Sequence, residues 1–133
     1  MKYMSILGVK MSKNITCILC PLGCEIHINK KNNDFLLSGN MCSKGEEYAI
    51  KEIKNPIRIV TTTVFIKNGK NRLLPVKSEK GIHKDLVKKC IFELSKMKLT
   101  APIKCGDIIY KNIYETGINI IASRDIKKKK LNY

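Results

Sequence analysis

Cys17-Ile18-Leu19-Cys20-Pro21-Leu22-Gly23-Cys24, followed by Ser38-Gly39-Asn40-Met41-Cys42, is the stretch on which the fold of this chain turns. Its four cysteines fall as C-x2-C-x3-C-x17-C, three crowded into one loop and the fourth remote. Thiolates at such spacing hold metals. Structural zinc sites usually present two separated cysteine pairs, whereas a four-iron cubane is often gripped by a cysteine-rich loop plus a distant ligand, so the 3+1 partition leans to iron-sulfur. Tetrahedral all-cysteine zinc uses the same thiolates, and spacing alone does not name the metal. Ordinary buried thiols or two disulfides are the remaining readings. Gly23 lets the backbone approach a metal closely, and Pro21 stiffens the turn. Ile18, Leu19 and Leu22 are expected to keep water away.

Working outward, Glu25-Ile26-His27-Ile28-Asn29 alternates polar and apolar and predicts a strand leaving the loop. A polar turn over Lys30 to Asp34 precedes Phe35-Leu36-Leu37, a returning strand that delivers Cys42 to the other three cysteines. Residues Glu46 to Lys54 predict a short helix stopped by Asn55-Pro56. Thr61-Thr62-Thr63-Val64-Phe65-Ile66 is β-rich, Asn68-Gly69 signals a two-residue hairpin, and Leu73-Leu74-Pro75-Val76 returns. Residues 82–98 carry one amphipathic stripe, Leu86, Val87, Cys90, Ile91, Leu94 and Met97, with Asp85 favouring the helix start. Cys90 therefore belongs to a core. Two further strands are expected around Asp107 to Lys111 and Gly117 to Ser123, with Cys105 before them as a structural or free thiol. The expected class is α+β, a small four-cysteine metal-binding lobe with short hairpins followed by a β-rich lobe packed on one amphipathic helix. Its divisions are a disordered extension over 1–13, the metal lobe over 14–60, the β-rich lobe over 61–126 with helix 82–98, and a basic tail over 127–133.

With 133 residues there is one domain's worth of chain, too short for most cofactor-dependent enzymes. The apolar run in residues 1–10 is too short and broken for a signal peptide or a membrane span, so a cytoplasmic location is expected, with reduced thiols and Met11 as an alternative start. A formal charge of +15 invites a nucleic-acid reading. The cations, however, are lysines apart from Arg58, Arg72 and Arg124, and arginine is the residue that reads guanine and phosphate bidentately. Lysine, isoleucine and asparagine are abundant together, which reads as compositional drift across the chain, and no sequence-specific nucleic-acid partner is expected. His27 falls on the polar face of its strand and His83 opens the helix, so neither builds a site. No Ser/His/Asp or Cys/His arrangement and no G-x-G-x-x-G loop is present, so catalysis by this chain alone is not expected.

With Cys42-Ser43-Lys44-Gly45 added to the four cysteines, residues 17 to about 76 resemble the N-terminal iron-sulfur domain of molybdopterin oxidoreductases. The likeness takes in Gly23, Gly39, the C-x-K-G element, Asn55-Pro56-Ile57-Arg58 and Pro75-Val76. That resemblance implies a [4Fe-4S] cluster on Cys17, Cys20, Cys24 and Cys42, with Lys44 between cluster and pterin. The large pterin-binding domains have no room here, and the Cys24 to Cys42 gap is shorter than in that class. Across roughly residues 14 to 126 the chain also resembles a small uncharacterised family of CxxC-motif proteins. The marks are C-x2-C-P-x-G-C, G-x-x-C-x-K-G, Thr61-Thr62-Thr63-Val64, Pro75-Val76-Lys77, Gly106-Asp107-Ile108-Ile109 and the run Thr116 to Arg124. This second resemblance implies metal binding beside a flavoprotein dehydrogenase resembling glycerol-3-phosphate dehydrogenase.

The expectation is thus an electron-transfer subunit or partner of such a flavoprotein, with four metal cysteines and Lys44 as a cofactor-binding, potential-tuning residue. The alternative is a structural zinc module that engages protein or nucleic acid.

Overall fold

The computed structural model describes residues 12–130. Two α-helices occur beside strands arranged in three sheets among the described residues, which makes the class α+β. The chain divides into two compact units between Pro56 and Ile57, a few residues before the boundary expected after residue 60.

The first unit is an antiparallel meander of β1 (Ser12–Thr16), β2 (Glu25–Lys31) and β3 (Asp34–Ser38), followed by α1 (Ser43–Lys54). Alternation places Ile26 and Ile28 inward, while His27 between them is exposed. With Ile15, Cys17 and Ala49 they make a small core, flanked by Phe35, Leu37, Tyr48 and Ile53. The β2–β3 turn is tight because Asn32 adopts φ 56°, a left-handed conformation that asparagine tolerates. α1 begins at Ser43, earlier than the expected Glu46, and stops where Asn55 precedes a proline. β1 was not expected. Its sequence Ser12-Lys13-Asn14-Ile15-Thr16 offers one apolar residue, too few for a periodicity, and pairing with β2 from Ser12↔Asn29 to Thr16↔Glu25 makes it a strand. Disorder expected for 1–13 is therefore corrected at Ser12 and Lys13, while residues 1–11 lie outside the described ones.

The second unit holds a five-stranded sheet in the order β8-β5-β6-β10-β9. Its strands are β5 (Thr61–Lys67), β6 (Leu73–Ser78), β8 (Lys98–Thr100), β9 (Ile108–Tyr110) and β10 (Ile120–Ala122), with β8 parallel to β5 and the other pairs antiparallel. A two-stranded pair, β4 (Ile57–Arg58) with β7 (Ile82–His83), stands beside α2 (Lys84–Ser95). Val64, Ile66, Leu74, Val76, Ile120 and Ala122 face one core with Cys90 and Leu94 of α2. α2 is shorter than the expected 82–98 at both ends. Ile82 and His83 are held in β7, His83 Nδ1 accepts the Asp85 amide at 3.3 Å to cap the helix, and Lys98 is already in β8.

Asn68-Gly69 does not form the expected two-residue turn; five residues separate β5 from β6. The cause lies at the other end of the unit. Ile126 is buried, and a Cβ on Gly69 would come within 2.7 Å of its Cγ2, so glycine alone lets the hairpin tip and this segment meet. The Lys70 amide donates to Lys127 O at 3.0 Å and the Lys129 amide to Asn68 O at 2.8 Å. Lys127 to Lys130, part of the expected basic tail, are thus pinned by their backbone while their side chains stay exposed; residues 131–133 lie outside the described ones. Among the described residues no helix is long and apolar enough to cross a membrane.

Candidate metal centre

The end of β1 and the start of β2 bracket the cysteine loop. Cys17 follows β1 directly and is buried; its amide donates to Cys24 O at 2.8 Å and closes the loop at its base. Inside, the Gly23 amide donates to Cys20 O at 3.4 Å, with Gly23 at φ 59°. The fourth cysteine arrives by another route. β3 ends at Ser38, and Gly39 turns the chain at φ 92°, where any Cβ would collide with the carbonyl oxygen of Glu25. Asn40 Nδ2 donates to Cys42 O at 3.2 Å, and Cys42 becomes the N-cap of α1 with Lys44 and Gly45 in the first turn.

One cavity of about 210 Å³ is lined by all four of Cys17, Cys20, Cys24 and Cys42, together with Leu19, Leu22, Met41, Lys44 and Gly45. Cys17 is buried, Cys24 half-buried, and Cys20 and Cys42 exposed. A Cβ on Gly45 would sit 3.8 Å from Cys17 Sγ, an ordinary contact distance, so the first turn of α1 lies next to that thiol. All six cysteines are free thiols. Among the described residues, no three His, Cys, Asp or Glu side chains stand close enough to share one metal ion. The donor set is nonetheless of one chemical kind. Four thiols with no carboxylate or imidazole suit soft, thiophilic metals and iron-sulfur clusters rather than magnesium or calcium.

Electrostatics add one feature. The cavity lies at the N-terminus of the 12-residue helix α1, whose dipole favours negative charge, and a thiolate-held metal centre carries such charge.

Several expected roles need correction or placement. Ile18, Leu19 and Leu22 do not form a buried sheath: they are 74%, 54% and 73% exposed, and Met41, which the sequence did not single out, is 79% exposed beside them. His27 lies outside the cavity, its Nδ1 donating to Asn14 Oδ1 at 2.9 Å on the outer side of the β1–β2 pair. Cys90 is fully buried in the second unit, and burial pushes its thiol up. Cys105 is exposed, and its amide donates to Asp125 Oδ1 at 2.7 Å.

Fold and site together define a class: a small α+β protein of two compact units, one with a thiol-lined cavity and one with a five-stranded sheet on a single helix. The model of a family described as "Protein of unknown function (DUF1667)" matches residues 43–124, and the chain belongs to that family. The match starts one residue beyond Cys42, so it takes in Lys44, α1 and most of the second unit but none of the four cysteines. No curated protein matches the chain. Among solved structures it is similar to the NMR structure of Clostridium perfringens protein CPE0013, with 29% identity and a TM-score of 0.52 over 58% of this chain and 92% of that one.

Proposed function

We propose that this protein binds a [4Fe-4S] cluster through Cys17, Cys20, Cys24 and Cys42 and passes single electrons as the subunit or partner of a flavoprotein dehydrogenase. The observation that carries the reading is the convergence of all four thiols on one cavity from two separate chain segments. When bound, the cluster supplies one-electron redox chemistry. The chain's own residues hold it by thiolate, place the α1 N-terminus beside it and set Lys44 at its rim. The exposed apolar side chains of Ile18, Leu19, Leu22 and Met41 give a partner a surface next to the thiols. The flavoprotein partner rests on the family resemblance of the sequence.

Iron and sulfide analysis of anaerobically purified protein tests the first half, and stopped-flow reduction by a substrate-reduced flavoprotein tests the second. A structural zinc module is the second reading, favoured by a small core in the first unit, five buried apolar residues among the described ones, a size at which small domains commonly need a metal.

A further inference from the structure

We propose that the tip of the β5–β6 hairpin and the pinned segment Lys127–Lys130 form one binding site for the phosphate backbone of a single-stranded nucleic acid. Charge is not spread evenly along the chain as drift would leave it. Eighteen of its Lys and Arg residues but only six of its Asp and Glu residues fall in 57–133, so the second unit carries an excess of twelve positive charges. Within that unit the fold gathers cations further. Lys67, Lys70 and Arg72 stand at the hairpin tip, and the backbone bonds of Lys70 to Lys127 and of Lys129 to Asn68 hold four more lysines against it.

All seven side chains are exposed, and none of them has an ion-pair partner among the described residues. A free lysine-rich tail would swing away from like charge. Here Ile126, buried with Ala101 and Gly69 against it, prevents that, so the repulsion is built in and a polyanion relieves it. Asp125 and Asp107 accept backbone amides, from Cys105 and Lys104, and form no ion pair with these seven cations among the described residues.

An aromatic ring lies within reach of this patch. Phe65 is two residues before Lys67 on the outward face of β5, 42% exposed, with Leu73 opposite it on β6 and Lys98 beside it on β8. Successive outward side chains on a strand are about 7 Å apart, so a chain whose phosphates lie on the tip can stack a base on Phe65. This ring favours a nucleic acid over an acidic protein. Lysines and one stacking ring confer no base readout, and the binding is indifferent to sequence.

Anisotropy titration of the full-length protein with a labelled single-stranded oligonucleotide of about 20 nucleotides, over about 50 to 300 mM salt, tests this. Seven phosphate contacts predict a slope of log affinity against log salt of about −5. Changing Lys127, Lys128, Lys129 and Lys130 together to Gln should reduce affinity at least about tenfold and bring the slope to about −2. The same four-charge change at Lys80, Lys84, Lys88 and Lys89, away from the tip, should leave affinity within about threefold. Gly69→Ala keeps every charge but displaces Ile126, and it should weaken binding while circular dichroism stays native. Phe65→Ala should cost about fivefold or more for the oligonucleotide and nothing for inorganic polyphosphate, which has no bases. Equal losses from the two four-lysine variants, or oligonucleotide binding that ignores Phe65→Ala and is matched by poly-glutamate, would overturn the proposal.

Discussion

Cys17 and Cys90 are both buried thiols, yet opposite behaviour is expected of them because of what surrounds each. Cys17 opens onto a cavity with three other thiols; Cys90 lies in the apolar core that holds Leu94, Val64 and their neighbours. Single Cys→Ser variants followed by metal analysis should therefore lose metal at positions 17, 20, 24 and 42 and keep it at 90 and 105. Loss of metal from Cys90→Ser or Cys105→Ser equal to that at the other four positions would break the ligand assignment. Burial raises the Cys90 thiol above its ordinary range, so in the folded state it stays neutral when the unfolded chain would already ionise it. Stability of the second unit is then complete at neutral pH and falls as pH climbs through the thiol range. Denaturant midpoints measured on that side should decline for the natural protein and less for Cys90→Val, which has no thiol to ionise. Lys44 is exposed at the rim of the cavity, and changing it to Ala should lower the midpoint potential of the proposed cluster, because its positive charge favours the reduced, more negative state. At this scale the meeting of the four cysteines at one cavity was legible, because their spacing calls for a loop and a returning strand. Met41 was not, since nothing in an isolated methionine signals that its loop will expose it.

Strands with a buried face announced themselves. The alternation Glu25-Ile26-His27-Ile28 and the run Thr61 to Ile66 became β2 and β5 because tertiary structure buries the residues that the pattern marks, Ile26, Ile28, Val64 and Ile66. β1, β4, β7 and β8 were invisible for the complementary reason: each is two to five residues long and exists through pairing with a partner distant in sequence. The β5–β6 turn was misread because Asn68-Gly69 is a local signal, whereas here the glycine makes room for Ile126 nearly sixty residues away. Two elements carry separable predictions. Leu94→Ala empties a fully buried position between α2 and the sheet and should cost about 2–5 kcal/mol, read from urea denaturation. Gly39→Ala forces a Cβ into the Glu25 carbonyl at a left-handed backbone and should disturb the delivery of Cys42, so metal content should fall although no ligand has changed.

At the scale of the molecule, the α+β class and the existence of two parts could be read from patterning, while the uneven division of charge and the pinning of the lysine segment emerged only when the units were delimited. Among the described residues the two cores differ in size, five buried residues in the first unit against thirteen in the second. Metal removal by a chelator should for that reason cost the first unit its dispersed amide signals in NMR spectra while residues around Val64, Leu94 and Ile120 keep theirs. The central claim is the iron-sulfur cluster itself, and the ultraviolet-visible spectrum of anaerobically purified protein tests it most directly. The expected result is a brown protein with a broad shoulder near about 400 nm that bleaches with dithionite. A colourless protein retaining one zinc per chain would contradict it.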